Sequence, residues 1–195
     1  MVKKSFPVNT YVYGVDMSTK LSKFDWLNFS LKELAENGHS QLTAYRLATK
    51  LGVSRGSFYW HFENIRAFET EILQRWTELT TDDVINDLRS IESPPLRLGA
   101  LIKRAMDGDF KLERAVRSWA ISDDKVAKIV QTVDSRRVAY ITNILKDAGV
   151  KSEDLQTRAQ MLNWAATGRM MMSAEDDSLL LSVDALNRFA SIIAS

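Results

Sequence analysis

A short polar segment directly after the turn Gly52-Val53-Ser54 carries side chains of types that suit nucleic acid. It contains Arg55, Ser57, Tyr59 and His61. An arginine guanidinium matches the paired hydrogen-bond acceptors of guanine, and hydroxyl or imidazole groups bond to phosphates or base edges. Taken one at a time, such residues are as easily a solvated helix surface. Their clustering in one short segment favours contact with DNA.

Two short helices joined by a glycine turn are predicted to position these side chains. The first begins after Thr43 and ends at Gly52, and the second runs from Arg55 to about Phe62 with Ser54 as its N-cap. A small core shared by both helices is expected from Leu47, Ala48, Leu51, Val53 and Phe58. Such a pair sets one helix against the DNA backbone and the other in the major groove, which is the geometry of a helix-turn-helix.

The segment from about Phe24 to Trp76, roughly a quarter of the chain, resembles the DNA-binding domain of the TetR family of bacterial regulators. The matching elements are a helix ending at Gly38, a Thr-initiated helix with Leu47-Ala48, the turn Leu51-Gly52-Val53-Ser54, and the aromatic close Tyr59-Trp60-His61-Phe62. This resemblance implies a homodimeric, all-helical repressor. It also implies a palindromic operator and an inducer pocket in the C-terminal domain.

The resemblance assigns roles to individual residues of the helix-turn-helix. Thr43 falls at the start of the second helix, where phosphate is commonly held, and a donor-rich helix N-terminus at Gly56 also attracts phosphate. The predicted DNA-binding residues are Thr43, Arg46, Ser54, Arg55, Gly56, Ser57, Tyr59 and His61. One departure is Ile65, which stands where many relatives have a lysine, and Arg66 is its expected replacement.

The charge distribution agrees with a phosphate-binding front end. The formal net charge of the whole chain is only +1, but residues 1–62 hold eight Lys/Arg against four Asp/Glu. A basic surplus in one region favours nucleic acid. This surplus is small, so it supports the motif and would carry little weight alone.

Apolar residues recur at spacings of three and four along almost the whole chain, and alternating runs are absent. The pattern predicts an all-α protein of about nine helices, with a three-helix head and a larger helical part. Ser93-Pro94-Pro95 and Gly108 are predicted breaks, because proline is tolerated only in the first turn of a helix. The acidic run Glu175-Asp176-Asp177 is predicted to be a loop.

Three regions are expected from this reading. Residues 1–22 form a flexible N-terminal extension in which Met17 is a second candidate start. Residues 23–68 form the helix-turn-helix domain. Residues 69–195 form a helical domain for ligand binding and dimerisation.

Methionine and aromatic residues are frequent in this third region. The candidates to line a ligand pocket are Met106, Phe110, Trp119, Tyr140 and Trp164, because thioethers and aromatic rings fit varied apolar ligands. The same residue types at helical spacing are equally an ordinary core. Gly168 with Ala165 and Ala166 forms a small-residue face, either a dimer seam or a close crossing within the chain. Arg136-Arg137 is expected to be solvated.

Several classes of site have no support in the sequence. The chain has no cysteine, which excludes disulfides and thiolate sites, and it has no Gly-rich phosphate loop and no His-Glu-x-x-His motif. No cofactor, metal or enzymatic activity is therefore predicted. The absence of a long apolar run and of a secretory signal leads us to expect a cytoplasmic protein.

The expected partners are operator DNA, a small-molecule effector and a second copy of the chain. Two alternatives stay open. One is a DNA-binding protein that needs no effector and acts through a protein partner. The other is a helical enzyme or small-molecule carrier with a vestigial helix-turn-helix.

Overall fold

Helices make up the described parts of this protein. The computed structural model describes residues 21–172 and 182–194, and within these ranges it contains nine α-helices, one short 3-10 helix at His39–Gln41 and no strand. The α-helices are α1 Lys23–Asn37, α2 Ala44–Leu51, α3 Arg55–His61, α4 65–89, α5 Pro94–Asp107, α6 Lys111–Ala120, α7 Asp124–Asp147, α8 Ser152–Met171 and α9 Val183–Ala194. The predicted all-α fold with about nine helices is confirmed. The predicted extension up to residue 20 and the acidic loop at 175–177 lie outside the described residues.

Side-chain caps explain where several helices begin. The Thr43 hydroxyl accepts a hydrogen bond from the backbone N–H of Arg46 at 3.3 Å, and Asn64 caps α4 in the same way. These bonds satisfy donors that a helix N-terminus leaves open. Ser54 occupies the N-cap position of α3 without a capping bond from its side chain. Gly52 ends α2 in the left-handed conformation, with φ 68°, which glycine adopts without strain.

Helix α4 is not regular along its whole length. It runs as an α-helix over Ile65–Thr77, as a π-helix over Glu78–Asp82 and again as an α-helix over Asp83–Arg89. A π-helical turn inside a longer helix is rare and is a common place for a bend. The link between the head and the rest of the chain therefore has a local irregularity in its middle.

Two separate hydrophobic cores hold the helices together. The first core joins the head to α6 and to the first half of α7, and its members include Trp26, Leu34, Leu47, Phe58, Phe68, Ile72, Trp76, Val116, Trp119, Val126, Val130 and Val133. The second core joins α5, the second half of α7 and α8, through Leu98, Ile102, Val138, Ile141, Ile144, Leu145, Val150, Ala159 and Leu162. The first core thus extends across the predicted domain boundary after residue 68, and the division into two domains stays a prediction. None of the described helices is long and apolar enough to cross a membrane.

Charged side chains lie between the two cores. The expectation that Arg136-Arg137 is solvated is wrong for Arg137, whose side chain is only 14% exposed and pairs with the buried Glu113. A glutamate buried on α6 needs a cationic partner, and Arg137 on the neighbouring helix α7 supplies it. Arg136 remains largely exposed and pairs with Asp82 on α4.

Candidate nucleic-acid interface

Helices α2 and α3 pack against each other through a few small apolar contacts. Leu47 and Ala48 are buried on α2, and Phe58 is the buried residue of α3. The backbone N–H of Val53 donates to Ala48 O at 3.0 Å, which closes the turn at Gly52. The turn and the shared core therefore fix the angle at which α3 leaves α2.

A cluster of aromatic rings holds α3 from behind. The Phe58 ring lies 5.5 Å from the Trp26 ring of α1 and 5.1 Å from the Phe68 ring of α4, both edge to face. The Phe62 ring, which follows α3, lies 5.0 Å from Phe58. Edge-to-face pairs at such distances are favourable. The rest of α3 is thereby presented away from the core.

The outward surface of α3 carries the residues predicted to read DNA. Arg55 and Gly56 are exposed, and Tyr59 is 46% exposed. Trp60, which was not among the predicted DNA-binding residues, is 73% exposed beside them. Ser57 is partly exposed. The first core lies on the opposite side of the helix, so this surface is available to the major groove.

Arg55 and Tyr59 lie together one helical turn apart. The guanidinium Nη2 of Arg55 donates to the Tyr59 hydroxyl at 3.2 Å, and the guanidinium sits 5.5 Å from the centre of the tyrosine ring. The hydrogen bond to Tyr59 raises the pKa of the Arg55 guanidinium above its ordinary value. This pair is therefore a cation held by a tyrosine on the exposed surface of α3.

The predicted contacts on α2 surround its N-terminus. Thr43 and Arg46 are exposed, and Arg46 Nη1 donates to the carbonyl of Ser40 at 3.1 Å. Tyr45 is 70% exposed beside them and was not among the residues predicted from the sequence. Its signal was present, because burial of Ala44 and Leu47 at helical spacing leaves position 45 on the outer surface.

His61 stands at the end of α3 and turns toward α1. Its Nε2 lies 2.9 Å from the carbonyl oxygen of Leu21, just before α1, and in that arrangement the nitrogen donates. The histidine is partly exposed, and Ser54 at the other end of α3 is exposed. This hydrogen bond from His61 therefore connects the end of α3 to the residue that precedes the N-cap of α1. A DNA contact from its remaining surface stays a prediction.

Arg66 is engaged within the protein. Its Nη1 lies 3.4 Å from a carboxylate oxygen of Glu69 and 3.2 Å from one of Asp123, which precedes α7. The side chain is nevertheless 67% exposed. Its predicted role as the replacement for a lysine at Ile65 stays untested.

The five residues predicted to line a ligand pocket lie in different places. Trp119 is buried in the first core, where its ring stacks on that of His39 at 4.0 Å, and Phe110 is also buried. Met106 and Tyr140 pack against the second core, while Trp164 is 64% exposed. None of the five is among the residues that line the groove described next. Their role in ligand binding remains a prediction.

A groove with other residues occurs on the far side of α7. It has a volume of about 550 Å³ and is lined by Ala120, Ala127, Val130, Gln131, Asp134, Ser135, Val138, Ala139, Gln156 and Gln160. Among the described residues, no group of three or more His, Asp or Glu is arranged to hold a metal ion. The lining of this groove thus combines apolar side chains with carboxamide, hydroxyl and carboxylate groups.

The head of the chain is similar to a known protein family. Residues 27–69 match the family model described as bacterial regulatory proteins, tetR family. No functionally curated protein matches the chain. Because the family model covers the helix-turn-helix described above, it concerns the residues that present the exposed surface of α3.

Several solved structures share the overall fold. A protein from Saccharomonospora viridis, described as a transcriptional regulator and crystallised with choline, has 18% identity and a TM-score of 0.69, covering 87% of this chain and 93% of that one. A TetR-like transcriptional regulator from Rhodococcus sp. RHA1 has 15% identity and a TM-score of 0.63, covering 87% and 91%. A TetR-family regulator from Mesorhizobium loti MAFF303099 has 18% identity and a TM-score of 0.64, covering 88% and 92%. The chain is thus similar to the tetR family of bacterial regulatory proteins over residues 27–69, and it shares its overall fold with these three structures.

Proposed function

We propose that this protein is a ligand-responsive transcriptional repressor that binds a palindromic operator as a homodimer. The observation that carries the proposal is the exposure of α3. Phe58 is the only residue of this helix that is buried, and the others are partly or fully exposed. A helix presented in this way by a second helix fits the major groove. The protein would act by occupying DNA and not by catalysing a reaction, and it would do so in the cytoplasm.

Base recognition would come chiefly from Arg55. Its guanidinium is exposed and already oriented by Tyr59, so it can make the bidentate contact with guanine that arginine favours. Thr43, Arg46 and Tyr59 would contact phosphates at the edges of the groove. Ser54, Gly56, Ser57 and His61 complete the proposed contact surface.

A second copy would cover the outer face of α8 and α9. Met161 is 60% exposed and Trp164 64% on α8, and Ile192 is 67% exposed on α9. Large exposed apolar side chains are typical of an interface when a partner groups them on one surface. A Cβ added at Gly168 would meet no atom within 4 Å, so the small-residue face is also uncovered in the single chain.

Two-fold symmetry then explains the expected operator. A symmetric dimer presents two copies of α3, and these reach successive turns of the major groove when they lie about 34–36 Å apart. Each copy reads the same half-site in the opposite direction, so the operator is a palindrome. A ligand that favours another separation of the two helices would release the DNA, because only a difference in affinity between states shifts the equilibrium.

A small-molecule effector fits the larger helical part of the chain. The Saccharomonospora viridis protein of similar fold was crystallised with choline, which shows that this fold accommodates a small molecule in that protein. Helix α4 runs from the head toward α5 and would transmit the response. A DNA-binding protein without any effector remains the alternative to this part of the proposal.

Selection of DNA from a random pool tests the proposed function directly. The full-length protein is mixed with random duplexes, and the bound fraction is sequenced over successive rounds. We expect enrichment of one palindromic sequence with half-sites about one helical turn apart. A pool that stays random after several rounds would contradict sequence-specific regulation.

A further inference from the structure

A polar layer separates the two hydrophobic cores. We use this name for the charged and hydroxyl side chains of Thr80, Thr81 and Asp82 on α4, Glu113 and Arg117 on α6, and Asp134, Arg136 and Arg137 on α7. On α7, Val133 of the first core directly precedes the layer and Val138 of the second core directly follows it. On α4, the layer coincides with the π-helical turn. The layer therefore marks a boundary between two packed units.

Glu113 is the centre of this layer. It is 4% exposed and accepts hydrogen bonds from Trp76 Nε1 at 3.1 Å, Arg117 Nε at 2.9 Å and Arg137 Nη1 at 2.8 Å. Arg137 also donates to the hydroxyls of Thr80 and Thr81 in the π-helical turn. Hydrogen-bond and salt-bridge networks of this kind can adopt discrete alternative arrangements.

Asp134 connects the layer to the surface. Its carboxylate receives both terminal nitrogens of Arg117, at 3.0 and 2.6 Å, and lies 3.8 Å from Arg137. The same residue lines the groove of about 550 Å³ on the outer side of α7. Asp134 is thus shared between the buried network and a space open to small molecules.

The groove spans the boundary between the two units. Its lining includes Ala120 of α6 and Val130, which belong with the first core, and Val138 of the second core, with Asp134 between Val130 and Val138 on α7. The lining on the second unit also includes Gln156 and Gln160 of α8. A molecule that fills this space contacts both units, so its affinity depends on their relative position. This dependence is the requirement for an effector site.

We propose that this groove is the effector site and that its ligand is a small amphiphilic molecule with hydrogen-bond donors, either neutral or cationic. The inference rests on the proposed function and names the ligand class for it. The alanine and valine side chains of the lining suit a hydrocarbon part, and its carboxamide and hydroxyl groups suit polar atoms. The lining described by the structure has one carboxylate and no basic side chain, which disfavours an anion.

The route from the groove to DNA follows the hydrogen bonds. A ligand donor that reaches Asp134 competes with Arg117 for the carboxylate, and Arg117 shares Glu113 with Arg137. A change in that sharing alters the hydrogen bonds that Arg137 makes to Thr80 and Thr81, and with them the π-helical turn of α4. The head then moves together with α6 and the first half of α7, because one core unites them.

The absence of cysteine from the chain permits a direct test with defined occupants of the groove. Ser135 lines the groove and Thr132 does not, yet both are exposed on α7 and bond their hydroxyls to the carbonyl four residues earlier. Ser135→Cys and Thr132→Cys are therefore matched variants. Each thiol is modified with 2-aminoethyl methanethiosulfonate, which forms a disulfide carrying a cationic ammonium with N–H donors and releases methanesulfinate. A sulfonato-ethyl reagent supplies the anionic counterpart.

The readout is affinity for the DNA selected by the unmodified protein. We expect the cationic adduct on Ser135→Cys to weaken binding about tenfold, within the range of allosteric couplings. The same adduct on Thr132→Cys should leave affinity unchanged. Equal affinities for the two modified variants would overturn the proposal. A sulfonate adduct that acts as strongly as the cationic one would overturn the assigned ligand class.

Failure of this inference is distinguishable from failure of the proposed function. If the unmodified protein selects a DNA sequence and filling the groove has no effect, the groove is wrong and the regulator stands. If the unmodified protein selects no sequence, the proposed function itself fails, and the effector proposal fails with it.

Discussion

The guanidinium of Arg137 on α7 closes on the buried carboxylate of Glu113 on α6, with Nη1 2.8 Å from Oε1 and Nη2 3.2 Å from Oε2. Burial alone would raise the pKa of Glu113, but the attraction of Arg137 and Arg117 outweighs it and holds the pKa below the ordinary glutamate value. The carboxylate is therefore charged in the folded protein at neutral pH.

Glu113→Gln should destabilise the protein by about 3–5 kcal/mol at pH 7, because it removes the buried carboxylate that pairs with Arg137 and leaves Arg117 with Asp134 alone. The folded-state pKa of Glu113 lies below its unfolded value, so its contribution is complete above the unfolded pKa and is lost as pH falls through the folded pKa. Urea unfolding across this acidic range should show the variant and the unaltered protein converging. Glu63→Gln, at an exposed position, is the control and should change little. Equal stability of all three proteins at pH 7 would contradict the account of the polar layer.

Trp164→Glu should prevent dimerisation. The side chain is 64% exposed in the single chain, and a buried aromatic at an interface commonly contributes about 2 kcal/mol or more to binding. Sedimentation of the variant at micromolar concentration should give the mass of one chain. Thr132→Glu adds the same charge at an exposed polar position of α7, away from the outer face of α8 and α9, and should remain dimeric. A dimeric Trp164→Glu protein would place the interface elsewhere.

Trp119→Ala should reduce stability by about 3–5 kcal/mol, the usual cost of truncating a buried aromatic. Trp119 is 3% exposed and stacks on His39, whereas the neighbouring Ile121 is 86% exposed. Ile121→Ala is therefore the control and should be nearly neutral. Denaturant unfolding of both variants measures the difference. An unchanged midpoint for Trp119→Ala would favour its predicted role as a pocket residue over its role in the core.

Tyr59→Phe should weaken binding to the selected DNA by about 0.5–1.5 kcal/mol, the usual net contribution of one hydrogen bond. The hydroxyl lost in this variant orients Arg55 and is the group proposed to contact phosphate. Because a phosphate contact is insensitive to sequence, affinity for random duplex should also fall, but by a smaller factor, since the orientation of Arg55 matters only where it reads a base. Unchanged binding to both duplexes would remove Tyr59 from the interface.

The sequence predicted the head well because its signals are local. Thr43 and Asn64 cap helices, Gly52 takes a left-handed turn, and Phe58 is apolar within a polar segment. The local conformation or burial at each of these positions can therefore be predicted from the residue type and its immediate neighbours. These residues also orient the surface of α3. Helix count and the outward direction of Arg55 follow from such local rules.

The body could not be predicted to the same depth, because its arrangement depends on contacts between distant residues. Arg137 looked like a surface charge until Glu113, 24 positions away, was found buried beside it. Trp119 and Trp164 are the same residue type at helical positions, yet one is buried and the other exposed. Periodicity shows that a helix has two faces, but it does not show which neighbour covers each face.

The most direct test of the central claim is the affinity of Arg55→Ala for the selected operator and for a random duplex, measured at the same salt concentration. We predict a loss of about 1–3 kcal/mol on the operator, a relaxed preference at one base pair, and a smaller loss on random DNA. Lys111→Ala, an exposed charge on α6, should leave both affinities unchanged. An Arg55→Ala protein that keeps its full preference for the operator would contradict the claim that the exposed surface of α3 reads DNA.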